Sequence, residues 1–108
     1  MNTIRFSHNW NSKLSQKVFT TIRTYTDWKF EFYQKQHNRE FEIILNNEVI
    51  GKCKLRREEI MVYQDIPRAL LASDTGLTQF SSIYEIFKKF GMKGVESKMI
   101  ILTFEKEE

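Results

Sequence analysis

Thr21 and Arg23 are the pair whose chemistry stands out. They sit within Phe19-Thr20-Thr21-Ile22-Arg23-Thr24-Tyr25, a stretch of β-branched and aromatic residues that reads as a strand. Two residues apart on a strand means one face, about 6.6 Å from each other. A guanidinium there suits a phosphate or a base edge, with a threonine hydroxyl beside it to donate a hydrogen bond. Lys17, just upstream, is a phosphate contact or, with a lowered pKa, a general base or nucleophile. The structural alternatives are an Arg23 paired with Asp74 or Glu85 and a solvated Lys17.

Two further groups point the same way. Lys52, Lys54, Arg56 and Arg57 form a stripe that suits phosphates, unless glutamates on a neighbouring strand neutralise it. Trp10, Tyr25, Trp28 and Tyr33 have basic neighbours and the flat faces on which unpaired bases stack. Trp10 is the preferred exposed member because it lies in a polar run with His8, Asn9 and Asn11; the others are equally suited to a core. The charge is uneven: residues 1–57 carry eleven Lys/Arg against five acids, whereas residues 58–108 carry six against nine. A basic half of this kind fits a polyanionic partner.

Other chemistries find no support. His8, His37 and a single Cys53 have no metal-ligand spacing, and there is no G-x-x-x-x-G-K, G-x-S-x-G or H-E-x-x-H motif. No metal or cofactor is expected. One cysteine permits no intrachain disulfide and favours a reducing compartment, and its alternating surroundings place Cys53 as a small buried apolar residue. No apolar run approaches the ~18 residues of a membrane span, so a cytoplasmic protein without a membrane partner is expected.

At 108 residues, 41% of them hydrophobic, one domain covering 1–108 with a single core is expected. Thr3 to Phe6 alternates as a short strand. Residues 8–18 read as a loop and short helix capped by Asn11 or Ser12. From Trp28 the pattern fits either a strand or a helix capped by Asp27. Glu40 to Leu45, Asn46-Asn47 and Glu48 to Leu55 form a hairpin, because Asn-Asn tolerates positive φ. A three-residue loop is the expected register. It pairs Leu45 with Val49, Ile43 with Gly51 and Phe41 with Cys53, and sets Glu42 against Lys52 and Glu40 against Lys54.

Beyond the hairpin, Ile60 to Tyr63 continues as strand, followed by a helix starting at Asp65-Ile66-Pro67 and ending near Asp74-Thr75-Gly76. A second helix over Ser81 to Phe90 buries Ile83, Ile86, Phe87 and Phe90 and stops at Gly91. Met99 to Phe104 closes the order as a buried strand. Such an order fits an α+β β-barrel decorated with short helices better than a βαβ sheet.

Three stretches together resemble the ASCH family of PUA-like, RNA-associated mixed β-barrels. Asn9-Trp10-Asn11-Ser12-Lys13-Leu14 leading into Lys17 to Arg23 is similar to that family's N-terminal helix and T-x-R strand. Val49-Ile50-Gly51-Lys52-Cys53 is similar to its central strand. Ile66-Pro67 through Asp74-Thr75-Gly76, with the helix after it, is similar to its D-G turn and following helix. The resemblance implies a short helix after Asp27 and a role in RNA metabolism, and some small members remove an acetyl group from N4-acetylcytidine. It implies, for that chemistry, Lys17 and Thr21 with Asp74 in place of a glutamate. The spacing differs: Val18, not Lys17, stands five before Arg23, Ser15 replaces a glycine, and the glutamate position falls near Gln79. The expectation is a domain that binds RNA or a modified nucleoside in a basic cleft lined by Trp10, Lys17, Thr21, Arg23, Lys52 and Lys54. A protein-interaction domain and the amidohydrolase are the alternatives.

Overall fold

Met99 to Leu102 and Phe104 are all buried, so the last strand is apolar on both faces and must lie inside the sheet. It does. In the computed structural model, which describes residues 2–6, 14, 16–77 and 79–107, the strands are β1 (Asn2–Phe6), β2 (Val18–Thr24), β3 (Glu40–Leu45), β4 (Glu48–Val62) and β5 (Lys98–Lys106). The helices are α1 (Asp27–Lys35), α2 (Arg68–Thr75) and α3 (Phe80–Lys89). The sheet order is β1-β3-β4-β5-β2, with β1 parallel to β3 and the other pairs antiparallel. This mixed sheet curls into a half-barrel, and the fold class is α+β.

Alternation along β5 divides the core in two. Ile100, Leu102 and Phe104 point into one cluster with Phe19, Phe41, Ile43, Cys53 and Leu55. Met99 and Ile101 point into the other, which joins the sheet to Leu71 of α2 and Ile83 and Phe87 of α3. Ile22 belongs to the second cluster and Phe19 to the first, so Thr21 and Arg23 share the strand face of Phe19.

The β3–β4 hairpin combines two registers. Asn46 and Asn47 take φ of 50° and 69°, a two-residue turn, and Leu45 therefore pairs with Glu48 and Ile44 with Val49. This corrects the three-residue loop. A bulge between Ile43 and Ile44 then absorbs one residue, and beyond it the expected pairs hold: Ile43 with Gly51, Glu42 with Lys52, Phe41 with Cys53 and Glu40 with Lys54. Both demands are met: the tight turn takes its Asn-Asn, and the apolar face stays unbroken.

Other boundaries shift. The strand expected over Glu48–Leu55 runs on without a break to Val62 as β4, with a bulge at Leu55/Arg57, and Tyr63 falls just beyond it. Its first half pairs with β3 and its second with β5, so β4 is where the sheet bends. The stretch after Tyr25 is the helix α1, capped by Thr26, whose Oγ1 accepts from the Lys29 N–H at 3.3 Å, rather than by Asp27. Asp65 falls in a 3-10 turn (Tyr63–Asp65), and Pro67 is the residue preceding α2. Phe90 lies past the end of α3, 59% exposed, because Gly91 at φ 104° turns the chain away. The helix expected within 8–18 falls largely outside the described residues.

Candidate functional site at the half-barrel seam

The curled sheet has two edges, β1 and β2, and side chains bridge them. Phe6 of β1 meets Phe19 of β2 edge-on at 6.1 Å. Beside them Arg23 reaches across: its Nε donates to Thr21 Oγ1 at 3.1 Å and Nη2 to the Arg5 carbonyl at 3.1 Å. The guanidinium lies 5.2 Å from the centre of the Phe6 ring, within cation–π range. Arg23 is half-buried and Thr21 is only 3% exposed.

Asp74 approaches the same strand from α2. Gly76 closes that helix in the left-handed region at φ 74°, and Thr75 Oγ1 donates to the Leu71 carbonyl at 2.8 Å and accepts from the Leu77 N–H at 3.2 Å. This turn directs Asp74, 4% exposed, at the β2 edge, where its Oδ2 accepts from the Ile22 N–H at 3.3 Å. The carboxylate thus satisfies an edge N–H that no neighbouring strand can reach.

Burial pulls the Arg23 pKa below its ordinary value; nearby Tyr33 and then Asp74 work against that shift by favouring the cation. Among the described residues no carboxylate forms an ion pair with Arg23, and its Nη1 has no hydrogen-bond partner. The seam therefore holds a fixed, half-buried fork with one edge uncommitted among the described residues.

The remaining expected site residues lie elsewhere. Lys17 precedes β2 at the far end from Arg23, about 20 Å along the strand. It lines a hollow of about 440 Å³ with Lys54, Arg56, Glu105, Lys106 and Glu107. The cations there are engaged. Arg56 donates twice to Glu105 Oε1, Lys54 lies 3.7 Å from Glu107, and Lys106 Nζ donates to the Leu14 carbonyl at 2.8 Å. Lys52 pairs diagonally with Glu40 at 3.7 Å, so the strand-face stripe is largely neutralised. Trp10 lies outside the described residues. The structure brings Thr21, Arg23 and Asp74 together around β2 and leaves Lys17, Lys52 and Lys54 away from them.

Sequence reasoning missed the contributions of Arg5, Phe6 and Tyr33; a backbone carbonyl on another strand leaves no mark in side-chain types. It also missed a second hollow, of about 290 Å³, beside the end of β2. Tyr25, Met92, Lys93, Lys98 and Met99 line it, and Lys98 Nζ lies 5.5 Å from the Tyr25 ring centre. Cys53 is fully buried as expected, and burial pushes its thiol up to about 12. Among the described residues no cluster of three His, Cys, Asp or Glu forms a metal site, and no helix is long and apolar enough to cross a membrane. No family model, curated protein or solved structure matches the chain.

Proposed function

We propose that this is a PUA-like domain of the ASCH type that binds RNA or a modified nucleoside at the β1–β2 seam. The observation that carries the reading is the Arg23 guanidinium, half-buried, held on two sides, and left with Nη1 facing no protein partner among the described residues. A half-buried guanidinium with an open edge is suited to acceptor-rich groups, and a base edge or phosphate presents the paired acceptors that its fork matches. The bonds to Thr21 and Arg5 fix the fork before any ligand arrives, which favours planar, bidentate recognition. A curled mixed sheet with α2 and α3 packed on one face supports a barrel-like reading of the kind the ASCH resemblance implies.

The alternatives draw less support. An interaction domain using only the shell predicts Arg23 salt-bridged within a closed site, yet among the described residues no carboxylate forms an ion pair with it. Amidohydrolase chemistry through Lys17, Thr21 and Asp74 needs Lys17 near the other two, and it stands at the far end of β2.

Fluorescence anisotropy with 5′-labelled hexauridylate tests the proposal. Affinity should fall with added salt at a log–log slope of roughly −0.7 per phosphate contacted, and Arg23→Lys, which keeps the charge but not the fork, should weaken binding about tenfold. Absence of binding by the folded protein at low salt would sink the reading. Release of cytidine from N4-acetylcytidine, abolished by Thr21→Ala, would replace it with catalysis.

A further inference from the structure

The hollow beside the end of β2 differs in kind from the one near Lys17. Its floor is Met92 and Met99, one wall is the Tyr25 ring, and its charged lining groups are Lys93 and Lys98. Neither lysine forms an ion pair among the described residues, whereas Lys54 and Arg56 in the other hollow face Glu107 and Glu105. The nearest acid to this wall is Asp27, whose Oδ1 accepts from the Tyr25 hydroxyl at 2.6 Å and so holds the ring in place. Lys29 Nζ is turned inward onto the Thr24 carbonyl and Oγ1, at 3.4 and 3.2 Å. What lines the remaining volume of about 290 Å³ is the Tyr25 ring, with Lys98 Nζ over it 5.5 Å from its centre, and Lys93. That is near the lower end of the roughly 300–1,000 Å³ range of ligand pockets.

Its position connects it to the seam. Tyr25 follows β2 directly, two residues beyond Arg23, which is about 6.6 Å along the strand. A base held by Arg23 leaves its neighbour within reach of Tyr25. Gly91 forms part of the rim in the left-handed region, and a Cβ there would meet nothing within 4 Å, so the rim is open to a chain passing over it.

We propose that this hollow is a second subsite for the nucleotide adjoining the one at Arg23, its base taking the place of Lys98 Nζ on the Tyr25 face and its phosphate lying between Lys93 and the displaced Lys98. The inference rests on the RNA reading above and narrows it: the ligand is a single strand rather than a free nucleoside. Stacking on an aromatic face tolerates any base, so this subsite adds affinity while Arg23 reads the partner base.

The test uses the full chain, labelled hexauridylate, and free uridine followed by chemical-shift changes at the Arg23 Nε–H. The double variant Lys93→Ser/Lys98→Ser should bind hexauridylate about tenfold more weakly, with a salt slope lower by about 1.4, two contacts at roughly 0.7 each. Its uridine response should match the wild type. Tyr25→Leu should also weaken the hexamer about tenfold through the lost stack; should it fail to fold, the double lysine variant decides alone. Unchanged hexamer affinity and slope in the lysine variant, with Arg23→Lys still weakening binding, would overturn the subsite and leave the seam reading intact. No hexamer binding by the wild type would overturn both.

Discussion

Tyr63 carries its hydroxyl into the packing between sheet and helices, where the residue is fully buried and the oxygen has no hydrogen-bond partner among the described residues. Its ring is well placed, with the centres of Phe87, Tyr84 and Phe80 at 5.7, 6.0 and 6.0 Å. Tyr63→Phe keeps every ring contact and deletes one oxygen. A buried hydroxyl left unpaired costs ~1–3 kcal/mol relative to water. The void left behind, about 15 Å³ at about 24 cal/mol per Å³, returns about 0.4 kcal/mol of that. The variant is therefore expected to be more stable by about 1 kcal/mol. With a urea m-value of about 1.5 kcal/mol/M the unfolding midpoint should rise by about 0.7 M, at unchanged m. Circular dichroism at equilibrium reads both quantities. A midpoint that stays put or falls would refute the reasoning, because it would mean that the hydroxyl is bonded in the folded protein.

Arg23→Met removes two charge-assisted hydrogen bonds and a cation–π contact while relieving a desolvated charge; a net loss of about 2 kcal/mol, or a fall of about 10 °C in Tm, is expected. An unchanged Tm would mean that Phe6 and Phe19 close the seam unaided. Cys53, with its thiol pushed up to about 12, should react with iodoacetamide at pH 8 only as fast as the protein unfolds, so prompt labelling of folded protein would contradict its burial. Glu107 hydrogen-bonds Glu40, which holds Glu107 above and Glu40 below the ordinary carboxylate range. The raised Glu107 contributes stability that is present below its unfolded pKa and lost as pH rises through its folded pKa. Glu40 runs the other way, losing stability as pH falls through its folded pKa. Glu107→Gln, a permanent donor, should therefore gain in Tm over the wild type between mild acid and pH 7; a gap that closes over that range would contradict the assignment.

How far the fold could be read depended on whether the governing interaction was local. Asn46-Asn47 announced its turn, and the glutamate–lysine pairs announced the register beyond it. The bulge that reconciles them was invisible, since each half of the pattern was satisfied separately. Arg56 and Arg57 read as part of a phosphate stripe; in the structure they lie within β4, next to its bulge at Leu55/Arg57, and Arg56 is occupied by Glu105 and Asn38. Phe90 fits the helical period of α3 but follows its last turn. At the site, strand alternation put Thr21 and Arg23 together, and the Asp74-Thr75-Gly76 turn was recognisable by its glycine. That Arg23 would grasp the Arg5 carbonyl depends on how tightly the sheet curls, and curl is set by bulges and packing spread over five strands. Lys93 and Lys98 drew no attention because their partner, Tyr25, is distant in the chain and meets them only once β5 is in place.

The inside position of β5 has a consequence for how the molecule is made. Ile100 lies opposite Arg23 and Met99 opposite Met61, so the latest strand in chain order supplies ladder partners to two earlier ones. Until it has been synthesised, β2 has no strand to bond to, and the second half of β4 lacks its neighbour. Pairings of such long sequence separation are slow to form, so a ribosome-bound chain stopped before residue 98 should resist folding and stay sensitive to protease. The seam that Arg23 closes can exist only after that final plank is laid.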